Sequence, residues 1–394
     1  MELITTQDAL ATACEAFAQA PYVTIDTEFM RERTYWPKLC LVQLSRPTGV
    51  WGDELSVIID PLAAIDLQPL FDLMANEAVL KVFHAARQDV EIFVNLTGAV
   101  PKPLFDSQVA AMVCGYGDQV GYETLVRRIA KAQLDKSSRF TDWARRPLSE
   151  KQLNYAIGDV TYLRDIYEEL RSQLKKTGRE SWVAAEMDVL NRIETYVVDP
   201  EMAWKRLKTR SNDPRFLGAV RSLARWREQT AKDRDVPRGR ILKDDAILEI
   251  AAAKPKTKDA LLSTRSLQKE GRKAETCIEI LAALEEGLAN PVEIARPQEK
   301  RPQLKPGALA LIDLLKVLLK AKAEDLGVAQ RLIASASDLE GLVTAQSEED
   351  LASAPVLNGW RRDAFGNDAL RLMRGEVALS TGRNGVVMVE LPPE

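Results

Sequence analysis

Through the first 200 residues, apolar positions occur both in short β-branched runs and at helical spacing, and this mixture predicts an α/β region. Runs at 22–29, 39–44 and 57–60 predict three antiparallel strands, and a run at 79–84 predicts a further strand. Ser149 and Gln152 form a capping-box pattern at the start of a long helix. Helical spacing predicts helices at 67–75, 87–96, 107–114, 122–130 and 149–170.

Strand patterns disappear after Pro200 until the last dozen residues, and two helical blocks are predicted there. The segments 226–250 and 315–342 share a helix, a Val-Pro or Val-Ala step and a second helix, which indicates a duplicated module. A length of 394 residues suits two or three domains. We therefore predict domains at 1–200, 201–292 and 307–394, with a proline-rich linker at 293–306.

The chain has one histidine, His84, and four cysteines that lie far apart. A zinc site built on several imidazoles is therefore excluded, and neither a disulfide framework nor a thiolate zinc site is expected. Chemistry at neutral pH is expected to depend on carboxylates, with a hard, oxygen-binding cation as partner. Apolar runs are too short to span a bilayer and the first 20 residues lack a secretory pattern, so we expect a cytoplasmic protein without a membrane partner.

Charge is distributed unevenly along the chain. The whole chain has a formal net charge of −4, but residues 203–243 contain thirteen basic and four acidic residues. Such a concentration of positive charge favours a polyanionic partner. The alternative is a solvated face on which lysine and arginine stems cover apolar surface.

Two pairs of polar residues have spacings that suit a functional site. Asp26 and Glu28 are two apart in a predicted strand, so their side chains leave the same face, while Val23, Ile25 and Phe29 are expected to face the core. Tyr155 and Asp159 are four apart in a predicted helix and share one of its faces. Asp89 follows a strand, where α/β folds often place functional groups. Each feature alone is weak, because a solvent-facing polar row would have the same pattern.

Together, these five residues resemble the DEDD superfamily of 3′–5′ exonucleases, in the branch that carries a tyrosine. The surrounding sequence is similar to the bacterial ribonuclease D family, and residues 226–250 resemble its helicase-and-RNase-D C-terminal (HRDC) domain. The resemblance is strong to about residue 290 and weak in the second helical block. The matching segments are 26–31 (DTEFMR), 35–43 (YWPKLCLVQ), 105–108 (FDSQ), 142–143 (DW), 146–148 (RPL) and 152–163 (QLNYAIGDVTYL).

The resemblance implies an RNase H-like α/β exonuclease domain with a mixed sheet, followed by two small all-α domains of the HRDC type. It implies that Asp26, Glu28, Asp89 and Asp159 bind two divalent ions, Mg²⁺ or Mn²⁺. Tyr155 would orient the attacking water, since a phenol with a pKa of about 10 is a poor base. The expected enzyme removes nucleotides one at a time from single-stranded RNA 3′ ends, releasing 5′-monophosphates. Precursors of tRNA are the expected substrates, and no obligate protein partner is expected.

Contacts with RNA are predicted at two places. Phe29 and Met30 follow the acidic pair, and either pack against the terminal base or fill the core. The basic segment supplies the remaining candidates, since lysine and arginine bind phosphates. These candidates are Lys205, Arg206, Arg225, Arg238 and Arg240.

Several residues near the predicted site have other expected roles. His84 is expected to be structural, and Asp106 is expected to cap a helix. For Tyr122 and Trp143 the sequence does not decide between packing in the core and contributing to the site. Two rival functions are also carried forward: an exonuclease of the same class acting on DNA, and a non-catalytic RNA-binding adaptor.

Overall fold

A computed structural model describes residues 2–47, 55–134, 141–267, 269–292, 306–383 and 385–392. Its N-terminal region is built on a six-stranded sheet in the order β1-β4-β3-β2-β5-β6. β2, β3 and β4 pair antiparallel, whereas β1 with β4, β2 with β5 and β5 with β6 pair parallel. The predicted mixed sheet is therefore confirmed. Its strands are β1 (Glu2–Ile4), β2 (Tyr22–Met30), β3 (Lys38–Arg46), β4 (Leu55–Ile59), β5 (Leu80–Phe83) and β6 (Leu104–Asp106).

The two edge strands were missed by the sequence analysis. β1 and β6 have three residues each, which is too short for an alternating pattern to stand out. The central strand β3 is buried at seven of its nine positions, and the longest helix of this region packs against it. The helices of this region are α1 (Gln7–Phe17), α2 (Gln68–Ala75), α3 (Arg87–Thr97), α4 (Ser107–Val113), α5 (Tyr122–Leu125), α6 (Glu150–Thr177) and α7 (Glu180–Met187).

Helix α6 packs on the sheet and contains two of the predicted site residues, Tyr155 and Asp159. The predicted capping box at its start is present: Ser149 accepts from the backbone of Gln152, and the Gln152 side chain accepts in return. The helix packs on β2, β3 and β4 through a stripe that includes Ala156, Val160 and Leu163, all fully buried. It ends at Gly178, which has a left-handed backbone conformation suited to glycine.

The first helical block has a hydrophobic core of its own, which includes Leu223, Ile247 and Ile280. Its two long helices approach so closely that a Cβ on Gly218 would lie 2.3 Å from the carbonyl oxygen of Gly287. A 3-10 helix at Pro200–Arg206 precedes this block. Its helices are α8 (Pro214–Asp233), α9 (Arg238–Ile241), α10 (Asp244–Ala253), α11 (Lys258–Leu262) and α12 (Ala274–Ala289).

The second block repeats that order of elements. A helix of 19 residues, a helix of 4 and a helix of 9 follow one another, against 20, 4 and 10 in the first block. This repetition agrees with the predicted duplication. The elements are α13 (Ala308–Leu326), α14 (Gln330–Ile333), α15 (Ala336–Thr344), α16 (Glu348–Ser353), α17 (Gly359–Arg361), a π-helical turn (Arg362–Gly366) and α18 (Asn367–Met373).

The second block packs directly on the N-terminal region. Trp360 stacks on Trp182 with ring centroids 4.3 Å apart, and Arg361 pairs with Glu186 at 2.8 Å. The chain then forms a hairpin, β7 (Val377–Gly382) and β8 (Gly385–Glu390), which begins earlier than the predicted last dozen residues. The predicted linker, 293–306, lies outside the described residues except for Pro306, and the boundaries 1–200, 201–292 and 307–394 stay proposals. None of the described helices is long and apolar enough to cross a membrane.

Candidate active site

Three of the predicted acidic residues form a compact cluster. Asp26 and Glu28 lie on β2, and Asp159 lies on α6, which packs on that strand. Each offers a carboxylate oxygen, and these oxygens all lie within 4.8 Å of one another. The two spacings in the sequence, i and i+2 on a strand and i and i+4 on a helix, thus converge at one place.

Asp89 is not one of these three residues, and it lies beside their cluster. It is in the first turn of α3 and is buried. The hydroxyl of Thr27 donates a hydrogen bond of 2.5 Å to Asp89 Oδ1. Thr27 lies between Asp26 and Glu28, so one short segment of β2 holds two acids and orients another. The sequence analysis missed Thr27, because nothing local to it signals a partner 62 positions away.

The acids lie close enough to repel one another, and each is at least partly buried. Burial raises the pKa of Asp26 well above its usual range, and the charges of Asp159, Asp89 and Glu28 raise it further. Burial raises the pKa of Asp89 to about 7, although the hydrogen bond from Thr27 acts in the opposite direction. A positive charge placed among these oxygens would relieve the repulsion.

The donor atoms suit a hard divalent cation. Every ligand offered by the cluster is a carboxylate oxygen, which is the donor type that Mg²⁺ and Mn²⁺ prefer over softer metals. Carboxylates held together by a sheet and a helix also lose little freedom when an ion binds. Asp26, Glu28 and Asp159, with Asp89 beside them, are the residues that would hold such ions.

Tyr155 and the four acids line the same cavity, which has a volume of about 600 Å³. Tyr155 lies one helical turn before Asp159 on the same face of α6, as its spacing predicts. Its ring packs against that of Trp143 with centroids 6.0 Å apart. The cavity is lined by Asp26, Glu28, Asp89, Tyr155 and Asp159 together with Thr27, Phe29, His84, Ala85, Gln88, Gly121, Tyr122, Glu123, Thr124 and Leu134.

Phe29 and Met30 differ in their surroundings. The pairing of β2 with β3 shifts register between Glu28 and Phe29, and Phe29 lines the cavity while also packing against the core. The expectation that Phe29 faces the core with Val23 and Ile25 is therefore only partly right, since a bulge interrupts the alternation. Met30 packs against a small apolar cluster that includes Cys40 and Trp143.

His84 and Asp106 support the cavity wall. Burial lowers the pKa of His84 to about 4, and its Nδ1 lies 2.9 Å from the hydroxyl of Ser107. Asp106 caps α4 by accepting from the N–H of Gln108, as predicted, and it also accepts from the N–H groups of Ala85 and Ala86. Those two residues precede α3, so Asp106 fixes the turn that presents Asp89.

Tyr122, left open by the sequence, belongs to both core and cavity. Its hydroxyl donates to the carbonyl oxygen of Gly158 at 2.9 Å, one residue before Asp159. Its ring lies 5.4 Å from that of His84.

The predicted phosphate-binding residues fall into two groups. Lys205, Arg206 and Arg240 are exposed. Arg225 pairs with Glu201 and Glu286, and Arg238 lies 3.4 Å from the buried carboxylate of Glu228. These two arginines already have acidic partners within the chain, so they have less charge to offer to RNA.

Two family models match the chain. A 3′–5′ exonuclease family matches residues 1–175, and the HRDC domain family matches residues 216–284. Together with the sheet topology and the acidic cavity, these matches define an exonuclease of the 3′–5′ class with an HRDC domain.

Full-length relatives narrow this class. Ribonuclease D of Jannaschia sp. (strain CCS1) is 54% identical over 98% of this chain and 99% of its own length. Ribonuclease D of Nitrobacter hamburgensis is 48% identical over 99% of this chain and 100% of its own. The chain therefore belongs to the ribonuclease D family, and it is an exoribonuclease that acts from RNA 3′ ends.

Solved structures agree in fold. Escherichia coli RNase D, an exoribonuclease involved in structured RNA processing, is similar with a TM-score of 0.78 and 29% identity, covering 95% of this chain and 98% of that chain. The catalytic core of RRP6 from Trypanosoma brucei has a TM-score of 0.53 at 21% identity over 73% of this chain and 80% of that one, which is a likeness of fold alone.

Proposed function

We propose that the chain removes nucleotides one at a time from the single-stranded 3′ tails of structured RNAs, releasing 5′-monophosphates. The observation that carries this proposal is the convergence of three carboxylates within 4.8 Å, with Asp89 and Tyr155 in the same cavity. Precursors of tRNA are the proposed substrates and the cytoplasm is the proposed compartment. The relative from Escherichia coli supports the choice of structured RNA.

In this proposal, Asp26, Glu28, Asp89 and Asp159 hold two divalent ions, Mg²⁺ or Mn²⁺. Such ions, when bound, neutralise charge on the phosphoryl oxygens and lower the pKa of the attacking water. The proposed task of Tyr155 is to orient that water through its hydroxyl. Thr27 and Asp106 keep Asp89 in place, and Phe29 offers a ring at the cavity wall for the terminal base.

Exposed cations of the first helical block are proposed to bind the RNA backbone outside the cavity. Lys205, Arg206 and Arg240 are better placed for this than Arg225 and Arg238, which have carboxylate partners. The second block packs on the exonuclease-like region through Trp360, so we propose that it braces that region.

Digestion of a hairpin RNA with an unpaired 3′ tail tests the proposal. With the 5′ end labelled and Mg²⁺ present, the protein should shorten the tail in single-nucleotide steps and release nucleoside 5′-monophosphates. A matched RNA whose terminal 3′ hydroxyl is replaced by a phosphate, and a DNA of the same sequence, serve as comparison substrates. Faster loss of the DNA would favour the rival DNA exonuclease, and binding of RNA without cleavage would favour the adaptor.

A further inference from the structure

The side chain of Arg146 joins three separate segments beside the candidate site. Its Nε and Nη2 donate to the two carboxylate oxygens of Asp60, at 2.6 and 2.7 Å. Nη2 also donates to the carbonyl oxygen of Cys40 at 2.9 Å, on β3. Nη1 donates to the carbonyl oxygens of Trp143 and Arg145, at 2.7 and 2.9 Å. Arg146 therefore ties residues 141–148, the segment before α6, to β3 and to the end of β4.

The segment held in this way carries Trp143. The Trp143 side chain is only 3% exposed, and it packs among Cys40, Leu41, Ile58 and Ala156. One face of this small apolar cluster is the ring of Tyr155, which lies at 32° to the indole with centroids 6.0 Å apart. A displacement of Trp143 would therefore leave a gap beside Tyr155 and allow its ring to tilt.

A second contact joins the same segment to the first turn of α6. The side chain of Gln152 donates to the hydroxyl of Thr141 at 3.2 Å, and Gln152 is also the partner of Ser149 in the capping box. Tyr155 is three residues further along this helix. The segment before α6 thus controls both where the helix begins and what the tyrosine ring packs against.

Arginine suits this position because its planar fork points donors in several directions at once. Lysine keeps the charge but cannot bridge both oxygens of Asp60 while reaching the carbonyls of Cys40 and Trp143. Asp60 is buried and also accepts from the N–H of Leu62, so its own position is fixed.

We infer that Arg146 is a positioning residue for the hydrolysis reaction. It acts through Trp143, which holds the ring of Tyr155 in the cavity. This inference rests on the proposed role of Tyr155 in orienting the attacking water.

Steady-state kinetics on the 3′-tailed RNA test the inference with Arg146→Lys, Tyr155→Phe and the double variant. Arg146→Lys should lower kcat about tenfold or more, because a small misplacement of an orienting group is costly in rate, while KM changes less than about twofold. In the Tyr155→Phe background the hydroxyl is already lost. The same lysine substitution should then lower kcat by no more than about twofold.

Arg361→Lys is the matched control, because Arg361 also pairs with a carboxylate and a carbonyl oxygen, Glu186 and Leu332, away from the cavity. It should lower the melting temperature and leave kcat unchanged. If Arg146→Lys does not fold, Trp143→Phe keeps a ring in the cluster and should show the same dependence on Tyr155.

Equal losses of kcat in the wild-type and Tyr155→Phe backgrounds would mean that Arg146 only stabilises the fold, and would overturn the inference. An unchanged kcat in a folded Arg146→Lys protein would also overturn it. Failure of the wild-type protein to hydrolyse the RNA would instead contradict the proposed function, and the inference with it.

Discussion

Acidic residues have opposite surroundings in the acidic cavity and in the first helical block. In the cavity, burial and neighbouring carboxylates raise the pKa of Asp26. In the helical block, the hydrogen bond from Arg225 lowers the pKa of Glu286, and Glu286 raises the pKa of that arginine in turn. Acids that are paired with arginines stabilise the folded state. Acids that are crowded together destabilise it unless a cation binds among them. Crowding of carboxylates is therefore the feature that identifies the site.

Removing one crowded acid should have the largest effect. Asp26→Asn should lower the rate of RNA hydrolysis by about a thousandfold or more, because metal-assisted charge stabilisation contributes several kcal/mol. The same variant should raise the melting temperature of the metal-free protein, since it removes a repelling charge. Single-turnover digestion and thermal melts in EDTA measure the two effects. Glu286→Gln is the control from the paired group, and it should leave the rate unchanged while lowering the melting temperature slightly.

The stabilisation by metal should depend on pH. Asp26 and Asp89 have raised pKa values in the fold, so the folded state keeps protons that the unfolded state releases as the pH rises from about 4 to about 7. Folding without metal is therefore penalised increasingly as the pH rises across that interval.

A divalent ion relieves this penalty. The increase in melting temperature caused by 1 mM Mn²⁺ should be larger at pH 7.5 than at pH 5. At pH 7.5 the ion should raise the free energy of unfolding by about 2–3 kcal/mol if it is at about a hundred times its Kd. Asp26→Asn should reduce the increase at both pH values. An increase that is larger at pH 5 would show that the ion does not bind at these carboxylates.

Glu228, on α8, is an informative case because it is buried like Asp89 of the cavity but, like Glu286, has partners. It accepts from the hydroxyl of Tyr35 at 2.5 Å and lies 3.4 Å from Arg238. Glu228→Gln should lower the free energy of unfolding by about 2 kcal/mol, since the hydrogen bond from Tyr35 and the contact with Arg238 both lose their charged partner. Urea denaturation measures this loss, and Glu279→Gln, at a partly exposed ion pair with Arg234, should cost well under half as much. Equal losses in the two variants would place Glu228 among the ordinary surface pairs.

The smallest expected effect is on RNA binding, where an exposed arginine and an arginine paired with carboxylates should differ. Arg240→Ala should weaken RNA binding and reduce the slope of log affinity against log salt concentration by about one, as expected for one lost phosphate contact. Arg225→Ala should change that slope much less, because Glu201 and Glu286 already neutralise its charge. Binding by a catalytically inactive Asp26→Asn protein at several salt concentrations provides the measurement. A larger change for Arg225 would mean that RNA displaces its carboxylate partners.

Local patterns predict the elements that hold the site. The alternation in β2 places Asp26 and Glu28 on one face, and the capping box starts α6 so that Tyr155 and Asp159 share another. These signals lie within a few residues of one another, so they can be recognised in the sequence. The edge strands β1 and β6 could not be, because three residues do not establish a period.

Contacts between distant residues are the part that the sequence does not reveal. Thr27 meets Asp89 across 62 positions, and Arg146 meets Asp60 across 86. The bulge after Glu28, which brings Phe29 to the cavity, depends on pairing with β3 rather than on the residues of β2 alone. Which arginines are paired is likewise decided by tertiary packing, as between Arg225 and Glu286.

Titration of Mn²⁺ into the full-length protein at pH 7.5 tests the central claim most directly. Isothermal calorimetry should show saturable binding of two ions per chain for the wild type, and Asp26→Asn should lose most of it while Glu286→Gln keeps it. Identical isotherms for the wild type and Asp26→Asn, or an absence of binding to the wild type, would contradict the claim that these crowded carboxylates form a metal site.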